Sequence, residues 1–518
     1  MAISQNNVVS RPLGALPSWL VFGLLGGTAV LAALVFALLP NALLSSGTIF
    51  IVAVITLFVV LLCCGLGSGI AGLARTEVLV YRITLVIWWF ILVCEVIFDH
   101  SGDADNTYRG QFATEAYGEG IVWVLAFIVL LVLLLRRPSF LAQLCTGSYK
   151  WVSLFTAICL LSIAWSPGQL YAAAWGFKLL LVVFMLGICT STIRDLDGIT
   201  SFLKISFWAF AVLTIVPVVI AFSDPATAFD GVGGRLNANP DELSATAGSL
   251  LLLALTLHAI EKRKIYLLGS ILATVIMFLA LGKAGIGAGV MGALFFFLLQ
   301  RKVVRSLGLL LGVAAVGLLI VSVTPLGNHL RSYQGAATLT GRTLIWTAGI
   351  DAVKQKPILG HGYLASYFFY RNENIDDYVA LQGMHLHNGF LDVAYNNGLL
   401  GLALLVSIHW VILRNLFGTL RSLTTLRSRE PANKRAAMAY LLTIGLLATY
   451  INLFVAGLFN SSYGGRTMSP YMLFLALFMI ACQLPRLISE MTSGALGNGN
   501  RTDADRPALA LSLEPARY

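Results

Sequence analysis

The sequence predicts an all-α protein that crosses a lipid bilayer many times, and three observations carry that expectation. Apolar runs of about 16 to 23 residues recur along the chain, close to the ~20 residues a helix needs to cross ~30 Å of hydrocarbon. Mean hydropathy is +0.84, with 58% hydrophobic and 11% charged residues. Lys and Arg gather in alternate connections, as membrane-inserted chains arrange them.

Fourteen spans can be drawn, at roughly 18–40, 48–66, 81–98, 120–135, 151–165, 171–190, 202–222, 244–259, 265–281, 284–300, 306–324, 398–417, 437–459 and 470–484. The first, from Pro17 to Pro40, is long enough to be a true span and is followed by no small-residue cleavage site, so no cleavable signal peptide is expected. With the N-terminus cytoplasmic, 24 of the 34 basic residues fall inside, 9 outside, and Lys178 lies within a span. The Asp-rich connection from Asp99 to Glu119 then falls outside. A net charge of +10 would suggest nucleic acid in a soluble protein. Here cytoplasmic anchoring charge accounts for it, and no nucleic-acid partner is expected. The seven cysteines (Cys63, Cys64, Cys94, Cys145, Cys159, Cys189 and Cys482) lie in or beside apolar runs, which argues against a disulfide framework or a cysteine metal site.

The expected organisation is an N-terminal bundle of about eleven spans over 1–324, a large outer loop over 325–397, and membrane helices over 398–484. A disordered cytoplasmic tail over 485–518, polar from about Ser493, completes it. Residues 265–300 cannot be one helix, because at 1.5 Å per residue they would reach about 54 Å between two basic ends. They must double back near Gly282-Lys283-Ala284, which puts Lys283 at an outer tip. Gly285, Gly289 and Gly292, with Ala288, then give the small-residue spacing of close helix packing. Lys178 must find a partner or a wet cavity within its span; a structural pair with Glu95 and a functional role are both open.

Two outer loops are large enough to hold a site. In the first, Gly231-Val232-Gly233-Gly234-Arg235 leads to Asn239-Pro240, which reads as a helix N-cap and first helical residue. In the second, Gly341-Arg342-Thr343 opens a helix that presents Ile345, Ala348 and Ala352 on one face and stops at Pro357. Such a helix suits the membrane surface. The turn Gly360-His361-Gly362 and the aromatics Tyr363, Tyr367, Phe368, Phe369 and Tyr370 follow. Those rings could stack on sugars or form an interfacial belt.

The polar centre is Gly383-Met384-His385-Leu386-His387-Asn388-Gly389-Phe390-Leu391-Asp392. His385 and His387 have no third metal ligand at useful spacing. Asn388 is placed to cap a helix starting at Gly389, with Asp392 in its first turn. His387 then precedes a helix N-terminus, whose partial positive charge disfavours the imidazolium and suits a general base; it could equally cap backbone amides alone. Arg235, Lys283 and Arg342 are the outer-face cations best placed to bind phosphate. Arg331, Lys354, Lys356, Arg371 and Arg466 are lesser candidates, and each of these cations could instead be a lipid-headgroup anchor.

His387-Asn388, nine residues, then Gly398-Leu399-Leu400-Gly401 resembles the His-Asn-x9-Gly-x-x-Gly signature of the O-antigen ligase and polysaccharide polymerase superfamily. Arg342 with Trp346, Pro357, Gly360 and Gly362 is similar to that family's run into the histidine, and Arg235 with Asn239-Pro240 to its earlier arginine loop. At position 283 the family usually has arginine, and this chain has more spans than the usual ten to twelve. The resemblance implies a fold of about 12–14 membrane helices like that of the C-type glycosyltransferases, with 325–397 as a periplasmic catalytic loop, in the bacterial inner membrane with both termini cytoplasmic. It implies metal-independent, inverting transfer of an undecaprenyl-diphosphate-linked glycan to an acceptor hydroxyl, with no cofactor. His387 would be the base, with Asn388 and Arg342 beside it, and Arg235, Lys283 and Arg342 would hold the diphosphate. The acceptor would be a growing exopolysaccharide or O-antigen in a polymerase, or lipid A-core in a ligase, and a flippase and a chain-length regulator would be partners. A transporter would explain the spans and Lys178 but leave the His-Asn signature without a use, and no inverted repeat supports it.

Overall fold

The computed structural model describes residues 73–97, 116–136, 144–223, 239–306, 342–369, 385–460 and 465–497, with positions 308, 311, 312, 315 and 463. Among them there is no strand. The spans drawn at 18–40 and 48–66, and nearly all of 306–324, lie outside the described residues, as does Arg235. Each remaining span coincides with a helix. These are α1 (Leu73–Ile97), α2 (Ala116–Arg136), α3 (Lys150–Leu161, extended by the 3-10 turn Ser162–Trp165), α4 (Gln169–Thr192), α5 (Leu196–Ser223), α6 (Pro240–Glu261), α7 (Lys264–Ala280) and α8 (Lys283–Leu299). After the outer helix α9 (Arg342–Gln355) come α10 (Gly389–Arg429), α11 (Lys434–Phe459) and α12 (Ser469–Gly497).

Seven helical stretches among the described residues are long and apolar enough to cross a membrane: 147–165, 169–192, 196–223, 240–261, 389–429, 434–459 and 469–491. The shorter apolar helices α7 and α8 join them, and the chain is an integral membrane protein. The break in the 265–300 run falls at Leu281-Gly282, where Leu281 takes a left-handed φ of 58° and ends α7. The two helices make little contact with each other. Instead α7 packs on α6, while α8 lies between α6 and α11. The glycine stripe of α8 is the reason. A Cβ at Gly289 would lie 3.3 Å from Gly248 Cα, and one at Gly292 would lie 2.9 Å from the Ala448 carbonyl. Between membrane helices the hydrophobic effect gives no drive, so close backbone approach of this kind and polar contacts decide association. Asn452 Nδ2 donates to Ser249 Oγ at 3.2 Å within the same junction.

The ends of the helices are chemically unlike. At one end, Glu261 of α6 pairs with Lys204 and Arg263, Arg427 lies 4.3 Å over the Tyr440 ring, and the Tyr440 hydroxyl donates to the Leu299 carbonyl at 3.2 Å. Lys204 and Arg263, assigned to a single face by charge counting, therefore meet at Glu261. At the other end stand the starts of α6 and α8, the end of α11, and α9. Several helices outrun their expected spans, two of them at their C-terminal ends. α10 continues to Arg429, past 417, on buried Leu416, Thr419 and Leu423. α12 reaches Gly497, past the expected start of the polar tail, with an Arg486–Glu490 pair one turn apart at 3.7 Å.

Mid-bundle, Lys178 Nζ meets Glu95 Oε1 at 3.2 Å, with the two side chains 0% and 3% exposed. The ammonium also lies 4.9 Å from the Trp123 and Trp175 ring centroids. Of the two roles open for Lys178, a structural pair is the one found. Glu95 uses its second oxygen to accept from Ser469 N at 2.9 Å, so the pair also ties down the start of α12.

Candidate active site

The site grows from a break in α10. Its first two turns, Gly389–Asn397, are separated from the long remainder by Gly398, which has φ 67° and ψ −169°. Only glycine occupies that region readily. The break exposes helix carbonyls and amides that must find partners. The turn 357–362 supplies them: Leu399 N donates to Pro357 O at 2.7 Å, His361 N to Tyr395 O at 2.8 Å, and Gly362 N to Asn396 O at 2.8 Å. Contact is so close that a Cβ at Gly398 would sit 2.1 Å from the Ile358 carbonyl oxygen, and one at Gly360 2.5 Å from the Gly398 nitrogen. The spacing from His387 to Gly398 is thus a short capped helix of fixed length, braced by the Gly360-His361-Gly362 turn.

Beneath the break lies a small apolar cluster of Ile345, Ala352, Ala365, Phe369, Leu386 and Tyr395. It receives the predicted face of α9 and holds that helix on the start of α10. His361 stacks on Tyr395 at 4.2 Å, and its Nε2 lies 3.0 Å from the Ala352 carbonyl, tying the turn to α9. The aromatics after the turn face neither sugar nor lipid: Tyr363, Tyr367, Phe368 and Phe369 are all buried. Phe368 closes over Gly168 and meets Tyr171 edge-on at 6.2 Å. Both expectations are corrected for these four, because aromatic residues at a helix junction read the same in sequence whether they face outward or inward; Tyr370 lies outside the described residues.

On this base stands the 385–392 segment. Asn388 caps α10, its side-chain oxygen accepting from Phe390 N and Leu391 N, both at 3.0 Å. Leu386 is clamped at both ends: its carbonyl accepts from Trp346 Nε1 at 3.0 Å, and its amide donates to buried Asp392 Oδ1 at 3.3 Å. His387 adopts a left-handed φ of 50°, and its amide donates to His385 Nδ1 at 3.3 Å. The two imidazole centroids are 4.2 Å apart. Burial, then the charges of His387, Arg466 and Arg342, push the His385 imidazole well below its ordinary value of 6.5. The direction of that shift favours the neutral ring.

The cations are distributed unevenly. Arg342, the first residue of α9, reaches Asp241 Oδ2 at 3.2 Å in the first turn of α6, both partly exposed. Asn239 caps that helix, accepting from Glu242 N at 3.3 Å, with Pro240 at its first position. Lys283 is exposed at the first position of α8. The preceding Gly282 packs directly on Ser244 Oγ and the Pro240 carbonyl, so the starts of α6, α8 and α9 converge. Lys354 is instead engaged with Asp351 on the outer surface at 2.7 Å, and Lys356 is exposed beyond it.

Arg466, a lesser candidate in sequence, has moved to the centre. It is 9% exposed and stacks over Tyr367 at 5.0 Å, Tyr171 at 5.6 Å and Trp175 at 5.8 Å. Tyr367 in turn lies 5.5 Å from His385. Its one sequence signal was a cation retained in a short outer connection, and several others shared that signal. Asp241 carried even less, since an acidic residue in a first helical turn is ordinary helix chemistry.

The arrangement is a histidine pair at a capped helix start, with Arg342 and Arg466 close enough to act on the His385 ring. Residues 268–406 match the family model described as O-antigen ligase. Lys283, Arg342, His387 and Asn388 fall inside the matched residues, while Arg235 and Arg466 fall outside them. The chain is also 35% identical over 125 residues to the exopolysaccharide production protein ExoQ of Rhizobium meliloti (strain 1021). That match covers 23% of this chain and 27% of the relative.

Proposed function

We propose that the protein is a glycosyltransferase acting at the periplasmic membrane surface, which transfers an undecaprenyl-diphosphate-linked glycan en bloc to an acceptor sugar hydroxyl. The observation that carries this reading is the meeting of the His385–His387 pair with Arg342 and Arg466. In the proposed step the acceptor oxygen attacks the anomeric carbon of the donor, the bond from that carbon to the phosphate oxygen breaks, and undecaprenyl diphosphate leaves. His387 takes the acceptor proton. Arg342 and Lys283, with Arg235 from the neighbouring loop, bear the growing negative charge on the diphosphate. Arginine suits this because its fork can bind two phosphate oxygens together. In this reading the Asp241–Arg342 pair holds the guanidinium ready, and the diphosphate displaces the carboxylate. One in-line attack inverts the anomeric centre, and no metal is needed.

Polymerisation of exopolysaccharide or O-antigen repeat units is the favoured outcome, supported by the likeness to an exopolysaccharide production protein. Ligation to lipid A-core is the second reading, supported by the description of the matched family. Both place the chain in the bacterial inner membrane with its termini cytoplasmic, beside a flippase and a chain-length regulator. Purified protein supplied with undecaprenyl-diphosphate oligosaccharide, with and without lipid A-core, distinguishes them. A ladder of lengths marks a polymerase and a single addition to lipid A-core marks a ligase; no new glycosidic bond rejects both. His387→Ala and Arg342→Ala should abolish product while the protein stays in the membrane. Full activity of His387→Ala would remove the base assignment.

A further inference from the structure

We propose that His385 is a positioning residue for His387: its Nδ1 accepts the His387 backbone N–H and holds that residue in the left-handed conformation that aims its imidazole. The inference rests on His387 being the base proposed above. A left-handed backbone is unfavourable for a non-glycine residue, so the surroundings must impose it. On one side Leu386 is clamped by Trp346 and Asp392, and on the other Asn388 is committed to capping α10. His387 is the bend between them, and its own amide is directed to the His385 ring at 3.3 Å. A backbone amide can only donate, so Nδ1 must present a lone pair and the proton of the neutral ring must sit on Nε2. An imidazolium would donate from both nitrogens and lose the contact.

The surroundings hold the ring in this form and place. His385 lies 5.5 Å from the Tyr367 ring, and the buried guanidinium of Arg466 lies 5.0 Å from that same ring. The neighbouring rings of Tyr171 and Trp175 lie 5.6 and 5.8 Å from the same guanidinium. The stack runs from the bundle interior outward to His387, and positive charge beside the ring opposes its protonation. The adjacent spacing His385-Leu386-His387 thus has a purpose other than metal binding: the first ring sets the backbone of the second.

Side chains that keep or lose the acceptor test this. Asparagine places Oδ1 where Nδ1 stands; glutamine places its amide where Nε2 stands; leucine has no acceptor. With full-length protein in lipid nanodiscs and undecaprenyl-diphosphate oligosaccharide as probe, His385→Asn should keep kcat within about tenfold, while His385→Gln and His385→Leu lose about 100-fold with KM little changed. A His385→Leu protein at the wild-type rate, or His385→Asn falling as far as His385→Leu, overturns the role. Solid-state NMR of 15N-histidine-labelled protein reads the ring without any activity. At neutral pH, Nδ1 of His385 should be unprotonated and Nε2 protonated, and a protonated Nδ1 also overturns the proposal. If His387→Ala is inactive while His385→Leu is active, the positioning role alone falls. If His387→Ala is fully active, the base reading falls and the role of His385 with it.

Discussion

Gly398 and His387 both sit at positive φ, but they differ in what a substitution would meet. At Gly398 an alanine methyl would face the Ile358 carbonyl at 2.1 Å in a backbone region that side chains rarely enter. Gly398→Ala should therefore destabilise the protein by on the order of 2–4 kcal/mol, read as a lower midpoint of thermal unfolding in detergent. Activity should fall with it, because the short helix that carries Asn388 would shift. His385 makes a pH-dependent contribution of known sign. Its folded value lies below the ordinary 6.5, so between those two values the unfolded chain binds more protons and stability falls as pH falls. Wild-type protein should lose thermal stability from about pH 6.5 downward, and His385→Asn should lose less over the same window. Equal slopes for the two proteins would show that His385 does not titrate differently on unfolding.

Among the elements, the connection from α1 through α4 to α12 is the one that positions the site from below. Glu95 joins Lys178 with one oxygen and the first amide of α12 with the other. The chain just before that amide carries Arg466. Removing one member of a buried pair leaves the other charge without compensation, at a cost of about 3–5 kcal/mol, while replacing both with apolar groups is often neutral. Lys178→Met alone should lower the unfolding midpoint strongly, and Lys178→Met with Glu95→Leu should recover most of it. Activity should recover less than stability in the double variant, because the Ser469 amide stays uncapped and the 465–468 connection is less fixed. Full recovery of both would limit the pair to stabilising the bundle.

At the scale of the whole molecule, the helix ends separate two chemistries. Lys204, Arg263 and Arg427 gather at one end, and the histidine pair with Arg342 and Arg466 at the other. If the positive-inside rule orients this chain, the basic end is cytoplasmic. Cys145 is exposed in the connection before α3, assigned to that side. In intact spheroplasts it should react with a membrane-permeant maleimide and be spared by an impermeant one. A cysteine placed at exposed Lys356 should react with both. The reverse pattern would invert the topology and put the site on the wrong face for a periplasmic reaction.

The class of the protein is legible from the chain alone, because membrane insertion depends on run length, hydropathy and loop charge, all of which are local properties. So are the cap at Asn388, the start of α6 at Asn239-Pro240 and the division of 265–300, since each follows from rules acting within a few residues. The tertiary structure decided which distant groups meet. Arg466 stands 78 positions after Asn388 in no spacing pattern with it, and the packing of α12 against α4 and α10 brings it to Tyr367 and His385. The aromatics at 363–369 became core rather than surface for the same reason. Gly398-Leu399-Leu400-Gly401 was legible as a motif, yet its purpose lies in a turn forty residues earlier (about 357–362). Local rules say what each segment can form; which broken hydrogen bonds, charges and rings satisfy one another is a property of the folded bundle.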